Sequence, residues 1–229
     1  MTRPLERALL ATEPATAAIA LLGARLVRTD RDGRRVGRIV EVEAYGGPED
    51  RASHARFATG RRAEAMRAAP GTAYVYRVYG MHRCLNAVTG PAGLASAVLI
   101  RAVEPVDGTD AMRLARIRRS LAARRSPPSP ADGERIARRI AALPPARLAA
   151  GPALVADAFD VDEAETGDDL LDPGGSLRLE AAEPARDRLG GSGIRATRRI
   201  GIERAGEPWA SAPLRFVLSG SPSLSRRVG

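Results

Sequence analysis

The chain has no lysine and no glutamine, and its only asparagine is Asn86. All 36 basic side chains are therefore arginines. The single cysteine, Cys84, excludes an internal disulfide and points to a reducing compartment. One cysteine and two histidines fall short of the usual ligand count of a Cys/His zinc site, so no metal is expected. No organic cofactor is implied either. No run approaches the roughly 18 apolar residues of a membrane-spanning helix, and no membrane partner is expected. Glu6 and Glu13 interrupt the region where a signal peptide needs an unbroken apolar segment, which makes the cytoplasm the expected location.

What remains is a chain of ordinary apolar content and unusual charge. The 229 residues are 44% hydrophobic, enough for a core and too apolar for a disordered polymer. No composition shift is sharp enough to be a linker, so one domain over residues 1–229 is expected. The net charge of +9 makes anionic partners, nucleic acid above all, the first class to consider. The charge is unevenly spread. Residues 108–150 carry 10 arginines and 3 acids, while residues 151–190 carry 3 arginines and 11 acids. The acidic block is expected to face away from a polyanion, and some arginines of the basic helix at 109–125 to lie near phosphates.

Local patterns give a coarse fold. Thr12 is placed to cap a helix whose first turn contains Pro14 and which Gly23 ends. Residues 26–28 and 36–43 read as strands joined by a turn at Asp30-Arg31-Asp32-Gly33. Residues 45–71 read as irregular. Thr72 to Tyr79 is β-rich, Tyr79-Gly80-Met81-His82 is a tight turn, and Arg83 to Val88 returns. Ala95 to Val103 forms a further strand, and residues 109–125 a basic helix. Asp132 is the expected cap of the next helix, and Gly151-Pro152 opens another that runs through Ala158. Arg199–Ile202 and Leu214–Leu218 look strand-like. Strands joined mostly by turns rather than helices favour an antiparallel α+β fold.

The chemistry-bearing residues are concentrated. All four tyrosines lie between positions 45 and 79, both histidines between 54 and 82, and Asn86 follows at once. Glu41 and Glu43 share one strand parity just before them. A plain core has no need of such clustering.

These segments resemble the alkyladenine (3-methyladenine) DNA glycosylase family. The resemblance runs through Gly37–Tyr45, Gly47–Asp50, Ser53-His54-Ala55, Tyr74-Val75-Tyr76, Tyr79-Gly80-Met81-His82, Cys84-Leu85-Asn86 and Leu99–Pro105. It continues at Arg199–Ile202, Ala205–Trp209, Leu214–Phe216 and Ser219–Pro222. No single piece is decisive, but the ordered set is highly specific and covers nearly the whole chain. Gly60–Ala63 and Ala153-Leu154 depart from the usual family pattern. That puts contacts to the DNA backbone and substrate range in question more than the reaction itself.

The resemblance implies a monofunctional DNA glycosylase of base excision repair. It would be a bacterial-type, nucleoid-associated monomer acting on double-stranded DNA that contains damaged purines. It implies a curved, mainly antiparallel sheet with flanking helices and a protruding hairpin that enters the minor groove. By the same resemblance Glu43 is the general base, with Arg101 near the water and the phosphates. Tyr45, Tyr76 and His54 wall a slot for the flipped base, and Asn86 borders that slot. Tyr79 is the intercalating residue, assisted by Met81. Glu41 is read as a surface or supporting acid, Glu49 and Asp50 as loop-structuring, Met66 as pocket packing and Cys84 as a buried strand residue. Trp209 is read as packing the C-terminal segment. Two rivals stay open on the residues alone: a non-catalytic nucleic-acid-binding module, and an N-glycosidase of free nucleosides.

The missing lysines carry a prediction. A glycosylase that also cuts the strand needs an amine to form a Schiff base with the sugar. With no side-chain amine, the protein is expected to leave an intact abasic site. Borohydride trapping should yield no covalent adduct; efficient trapping, unless at the N-terminal amine, contradicts the expectation.

Overall fold

The computed structural model describes residues 3–56, 59–124, 126–181 and 193–226. Its centre is strand β2 (Gly33–Tyr45), 13 residues long and the spine of the sheet. β1 (Arg25–Asp30) reaches β2 through the Arg31-Asp32 turn, in register from Asp30↔Gly33 to Arg25↔Arg38. On the other edge β2 pairs with β5 (Ala97–Asp107), which itself pairs with β4 (His82–Val88). β3 (Ala73–Val78) closes that side against β4. β6 (Leu177–Glu180) lies outside β1. β8 (Arg215–Leu218) pairs with Glu41–Glu43 of β2, and β7 (Ile194–Thr197) with β8. Every pairing among these eight strands is antiparallel, which agrees with the α+β expectation.

The main core lies between the sheet and its helices. Alternation on β2 sends Val40, Val42 and Ala44 into it, fully or almost fully buried. Helices α1 (Arg7–Leu10) and α2 (Pro14–Leu21) cover part of this face with Leu10, Ala17, Ala18 and Leu21. α4 (Thr109–Ala122) contributes Met112, and α6 (Pro152–Ala158) contributes Val155, Ala156 and Ala158. Packing is close where β2 meets β5. A methyl group on Gly37 would sit 2.2 Å from Val103 Cγ1, so that position excludes any side chain. A smaller cluster of Met66, Tyr74, Val88 and Ala97 lies under the 54–66 segment.

Several boundaries differ from the sequence reading. The segment 45–71 contains a 3₁₀ turn at His54–Arg56 and helix α3 (Arg61–Met66). The Thr12 hydroxyl donates to Leu9 rather than capping α2. α5 (Pro130–Ala141) is capped by Ser129, whose hydroxyl accepts from the Asp132 amide, and not by Asp132. Arg199–Ile202 is not a strand; the strand lies earlier, at Ile194–Thr197. The basic helix ends at Ala122, and residue 125 lies outside the described residues.

The largest correction concerns charge. Arg118 and Arg119 of α4 are already engaged by the acidic block. Arg118 pairs with Asp32 at 2.7 Å and Asp160 at 2.6 Å. Arg119 pairs with Asp160 at 2.6 Å and Asp162 at 2.8 Å. Arg28 and Arg77 are held by Glu165 and Glu163, each at 2.5 Å. The acidic segment therefore neutralises part of the chain's own arginine excess. Arg118 and Arg119 thus have carboxylate partners within the protein.

Candidate active site

Glu41, Glu43 and Tyr45 alternate along β2 and so project from the face opposite Val40, Val42 and Ala44. The β2–β5 register slips on either side of Glu41. Glu41 faces Ala102, and the next residue, Val42, faces Ile100. Arg101 is thus the extra residue of a β-bulge, a feature that re-aims a side chain. It reaches back across β2. Its Nε donates to Glu41 Oε1 at 2.9 Å and its Nη1 to Glu43 Oε2 at 3.1 Å. Burial opposes the guanidinium charge, but Glu43 and Glu41 more than offset it and raise the Arg101 pKa.

Glu43 is fully buried, with three donors around its carboxylate. Oε2 accepts from Arg101 and, at 2.8 Å, from the Tyr45 hydroxyl; Oε1 accepts from the Ile200 amide at 2.8 Å. Burial, and then the Glu43 charge, push the Tyr45 phenol well above its ordinary pKa. Tyr45 is therefore held protonated as a donor to Glu43.

Glu41 is also fully buried, which removes the surface alternative for it. It accepts from Arg101 Nε, from Arg215 Nε at 2.8 Å, and from the Ser225 amide at 2.7 Å and hydroxyl at 2.6 Å. Its own burial raises its pKa, but the hydrogen bonds of Arg215 and Ser225 and the charges of both arginines win, and the net shift is downward. Glu41 is the anchor that holds Arg101 against Glu43.

In front of this network lies a cavity of about 400 Å³. Tyr45, His54, Tyr76, Asn86 and Arg101 all line it, as do Met66 and Cys84. Glu43 does not line it directly; its three donors Tyr45, Arg101 and Ile200 do. The carboxylate thus sits one layer behind the wall. His54 meets Tyr76 edge-to-face at 4.4 Å between ring centroids, and a His54 ring nitrogen lies 3.0 Å from the Tyr74 hydroxyl. Burial and a hydrogen bond with Cys84 raise the Tyr76 pKa, and burial pushes the Cys84 thiol up to about 11. Both are neutral near pH 7, and Cys84 is an inert part of the wall. Asn86 Nδ2 donates to the carbonyls of Tyr74 at 2.9 Å and Cys84 at 3.3 Å. Both amide protons are spent there, so the side chain cannot swing aside.

At the mouth, β3 and β4 are joined by Tyr79-Gly80-Met81, closed by a bond from the Met81 amide to the Val78 carbonyl at 3.2 Å. Tyr79 and Gly80 have φ of 51° and 71°, as the type I′ turn requires. A tyrosine in that region carries backbone strain. Tyr79 is nonetheless 88% exposed and Met81 54% exposed, although apolar groups usually avoid water.

The structure therefore brings Glu43, Arg101, Tyr45, His54, Tyr76 and Asn86 to one place, with Tyr79 and Met81 at the tip of the adjoining turn. Sequence reasoning missed Arg199 as a part of this site. Its side chain is fully buried and bridges Asp50 Oδ2 at 2.5 Å, Asp50 Oδ1 at 3.0 Å and the Ala44 carbonyl at 3.0 Å. Its guanidinium carbon lies over the Tyr45 ring, 4.7 Å from the centroid. Asp50 also accepts from the Gly46 and Ala52 amides, so its reading as loop-structuring was correct but incomplete. Trp209 is half-buried, and its carbonyl accepts from Arg199 at 3.4 Å.

Comparison with known proteins gives these observations a frame. A family model described as Methylpurine-DNA glycosylase (MPG) matches residues 8–222. A protein of Anaeromyxobacter sp. (strain Fw109-5), named "Putative 3-methyladenine DNA glycosylase", is 39% identical over 227 residues, 98% of this chain and 94% of its own length. The "DNA-3-methyladenine glycosylase" of Mus musculus is 40% identical over 220 residues, 92% of this chain and 57% of its own length. These findings define a DNA glycosylase, a hydrolase of N-glycosyl bonds, and remove the non-catalytic binding module as an alternative. Within that class, the chain belongs to the methylpurine-DNA glycosylase family. Among the described residues no helix is long and apolar enough to cross a membrane.

Proposed function

We propose that the whole chain, residues 1–229, works as one monomeric, cytoplasmic and nucleoid-associated domain that excises alkylated or deaminated purines from double-stranded DNA. The observation that carries this reading is the buried Glu43, held by Tyr45 and Arg101 directly behind an aromatic-lined cavity. A cavity of about 400 Å³ is within the range that holds a small ligand. A purine inside a duplex must leave the stack to reach it.

In this reading the β3–β4 turn enters the minor groove. Tyr79 fills the gap that the extruded base leaves, and Met81 assists as a second apolar wedge. The base then lies between Tyr45 on one side and Tyr76 with His54 on the other. Stacking on an aromatic side chain contributes roughly 1–3 kcal/mol per base. A cationic alkylated purine gains about 0.5–2 kcal/mol more from a tyrosine face, a term that undamaged purines lack. Glu43 takes a proton from water as that water attacks the sugar C1′. The N-glycosidic bond breaks and the base leaves with the bonding electrons. From behind the wall the negative charge of Glu43 also favours the positive charge that develops on the sugar. Arg101 holds the Glu43 carboxylate in place through its bond to Oε2.

The test is incubation with duplexes carrying one alkylated adenine, hypoxanthine or ethenoadenine, beside the matching free nucleosides. Free base is expected from duplexes and not from nucleosides. Release from nucleosides alone favours the N-glycosidase reading, and release from neither overturns the proposal.

Two variants probe the roles of single residues. Tyr79→Ala is expected to slow excision of a lesion while leaving affinity for undamaged duplex close to wild type, because a wedge acts only once a base has left the stack. Equal losses in both assays would make Tyr79 a structural residue. Asn86 rejects guanine by collision with its 2-amino group. Its amide nitrogen is bonded to the Tyr74 and Cys84 carbonyls, which fixes the side chain at the cavity wall. Asn86→Ser should raise excision of guanine lesions relative to adenine lesions by roughly 10-fold to 100-fold. An unchanged ratio would leave Asn86 with only its backbone hydrogen bonds.

A further inference from the structure

We propose that Arg199 sets the charge preference of the purine slot by acting through Tyr45. The inference rests on the reading that the extruded base stacks on Tyr45, and it concerns which lesions the slot accepts. Tyr45 lines the cavity and Arg199 does not. The guanidinium, fully buried and 4.7 Å from the Tyr45 centroid, therefore sits behind the ring as seen from the cavity. A tyrosine face attracts a cation through the electron density above the ring. A cation fixed on the rear face draws that density toward itself, so the front face offers less to a second cation. Stacking of a neutral purine has no such dependence. Arg199 thus tempers the advantage of cationic lesions and keeps neutral ones competitive.

Asp50 acts on the same balance. Its carboxylate is bound to Arg199 at 2.5 and 3.0 Å and cancels part of the guanidinium charge felt by the ring. The same arginine donates to the carbonyl of Ala44, and the next residue, Ile200, donates its amide to Glu43. Arg199 is therefore a positioning residue that joins the back of the slot to the carboxylate, without touching the base itself.

The experiment compares single-turnover excision of 3-methyladenine, cationic as its nucleoside, with excision of hypoxanthine, which is neutral. It uses matched duplexes and four proteins: wild type, Arg199→Met, Arg199→Lys and Asp50→Asn. Wild type is expected to release both. Arg199→Met should raise the cationic-to-neutral rate ratio about threefold or more, whatever happens to the absolute rates. Arg199→Lys, which keeps the charge, should restore a ratio near wild type. Asp50→Asn keeps one acceptor oxygen for the Gly46 or the Ala52 amide but removes the charge that masks the guanidinium, so its ratio should fall. A purely structural Arg199 would slow both lesions equally in every variant, and that result overturns the inference. Wild-type release of the cationic lesion alone overturns it too. If wild type releases neither base, the proposed function itself has failed.

Discussion

Glu43→Gln is expected to bind lesion duplex almost as wild type does and to lose excision by about 10²-fold to 10⁴-fold, the usual contribution of a general base. The substitution keeps the shape of the side chain and removes its charge and basicity. Its amide oxygen can still accept from Arg101 and Tyr45 at the loss of the Ile200 bond, so two of the three contacts behind the cavity wall remain. In the proposed mechanism the developing positive charge on the sugar then loses a nearby negative charge, and the attacking water its proton acceptor. In the same proposed mechanism binding draws on the arginine surface and the aromatic slot, neither of which the substitution alters. Band shifts and single-turnover base release on the same duplex measure the two effects separately. Excision at the wild-type rate would move the general-base role away from Glu43, and Glu41 would be the next carboxylate to test. Weakened binding in step with excision would instead show that Glu43 holds the site together.

Glu41→Ala is expected to have the largest effect on stability. Four hydrogen bonds converge on that buried carboxylate, two of them from arginines that are themselves buried. Removing it leaves Arg101 and Arg215 without their shared counter-charge, and breaking a buried pair in this way costs about 3–5 kcal/mol. In a chain of this length that corresponds to a fall in Tm of roughly 6–20 °C. Excision should fall as well, since Arg101 loses the bond that fixes its Nε. A melting curve within about 2 °C of wild type would contradict the account, because surface acids change stability by no more than about 0.5 kcal/mol. The same network sets the acid limb. Burial raises the pKa values of Glu41 and Asp50, but their arginine partners hold both below the ordinary 4.5 and 3.8. A depressed native pKa gives stability that is present above the unfolded-state value and lost as pH falls through the native one. Tm should therefore be level from neutral pH down to about 5 and drop below it. In Glu41→Gln the drop should be shallower.

Local chemistry made the β1–β2 turn legible, because Asp30-Arg31-Asp32-Gly33 places turn-forming residues between two β-rich runs. The β3–β4 turn was legible from Gly80 between two β-rich runs. The site residues on β2 to β4 could be collected because they lie within 60 residues of one another and include every tyrosine of the chain. What sequence could not show is contact across long separations. Arg199 and Ile200 meet Asp50 and Glu43 from 149 and 157 residues away. The Arg199–Ile202 segment carries strand-like residues, yet Arg199 is drawn into an ion pair and Ile200 gives its amide to a carboxylate instead of a ladder. The pairing of α4 with Asp160 and Asp162 was equally hidden, since a block of acids reads in sequence as a solvated surface. Sequence left Glu41 as either a surface or a supporting acid, because nothing local reveals that Arg215 and Ser225 cover it.

The central claim is that the cavity behind Tyr79 takes an extruded purine, with Glu43 behind its wall. The most direct measurement is a crystal structure of Glu43→Gln bound to a duplex with one alkylated or deaminated adenine. The account predicts an intact lesion nucleotide turned out of the helix, its base between Tyr45 and the Tyr76–His54 pair, with Tyr79 in the vacated stack. A lesion still stacked in the duplex, or held on a surface away from the cavity, would contradict it.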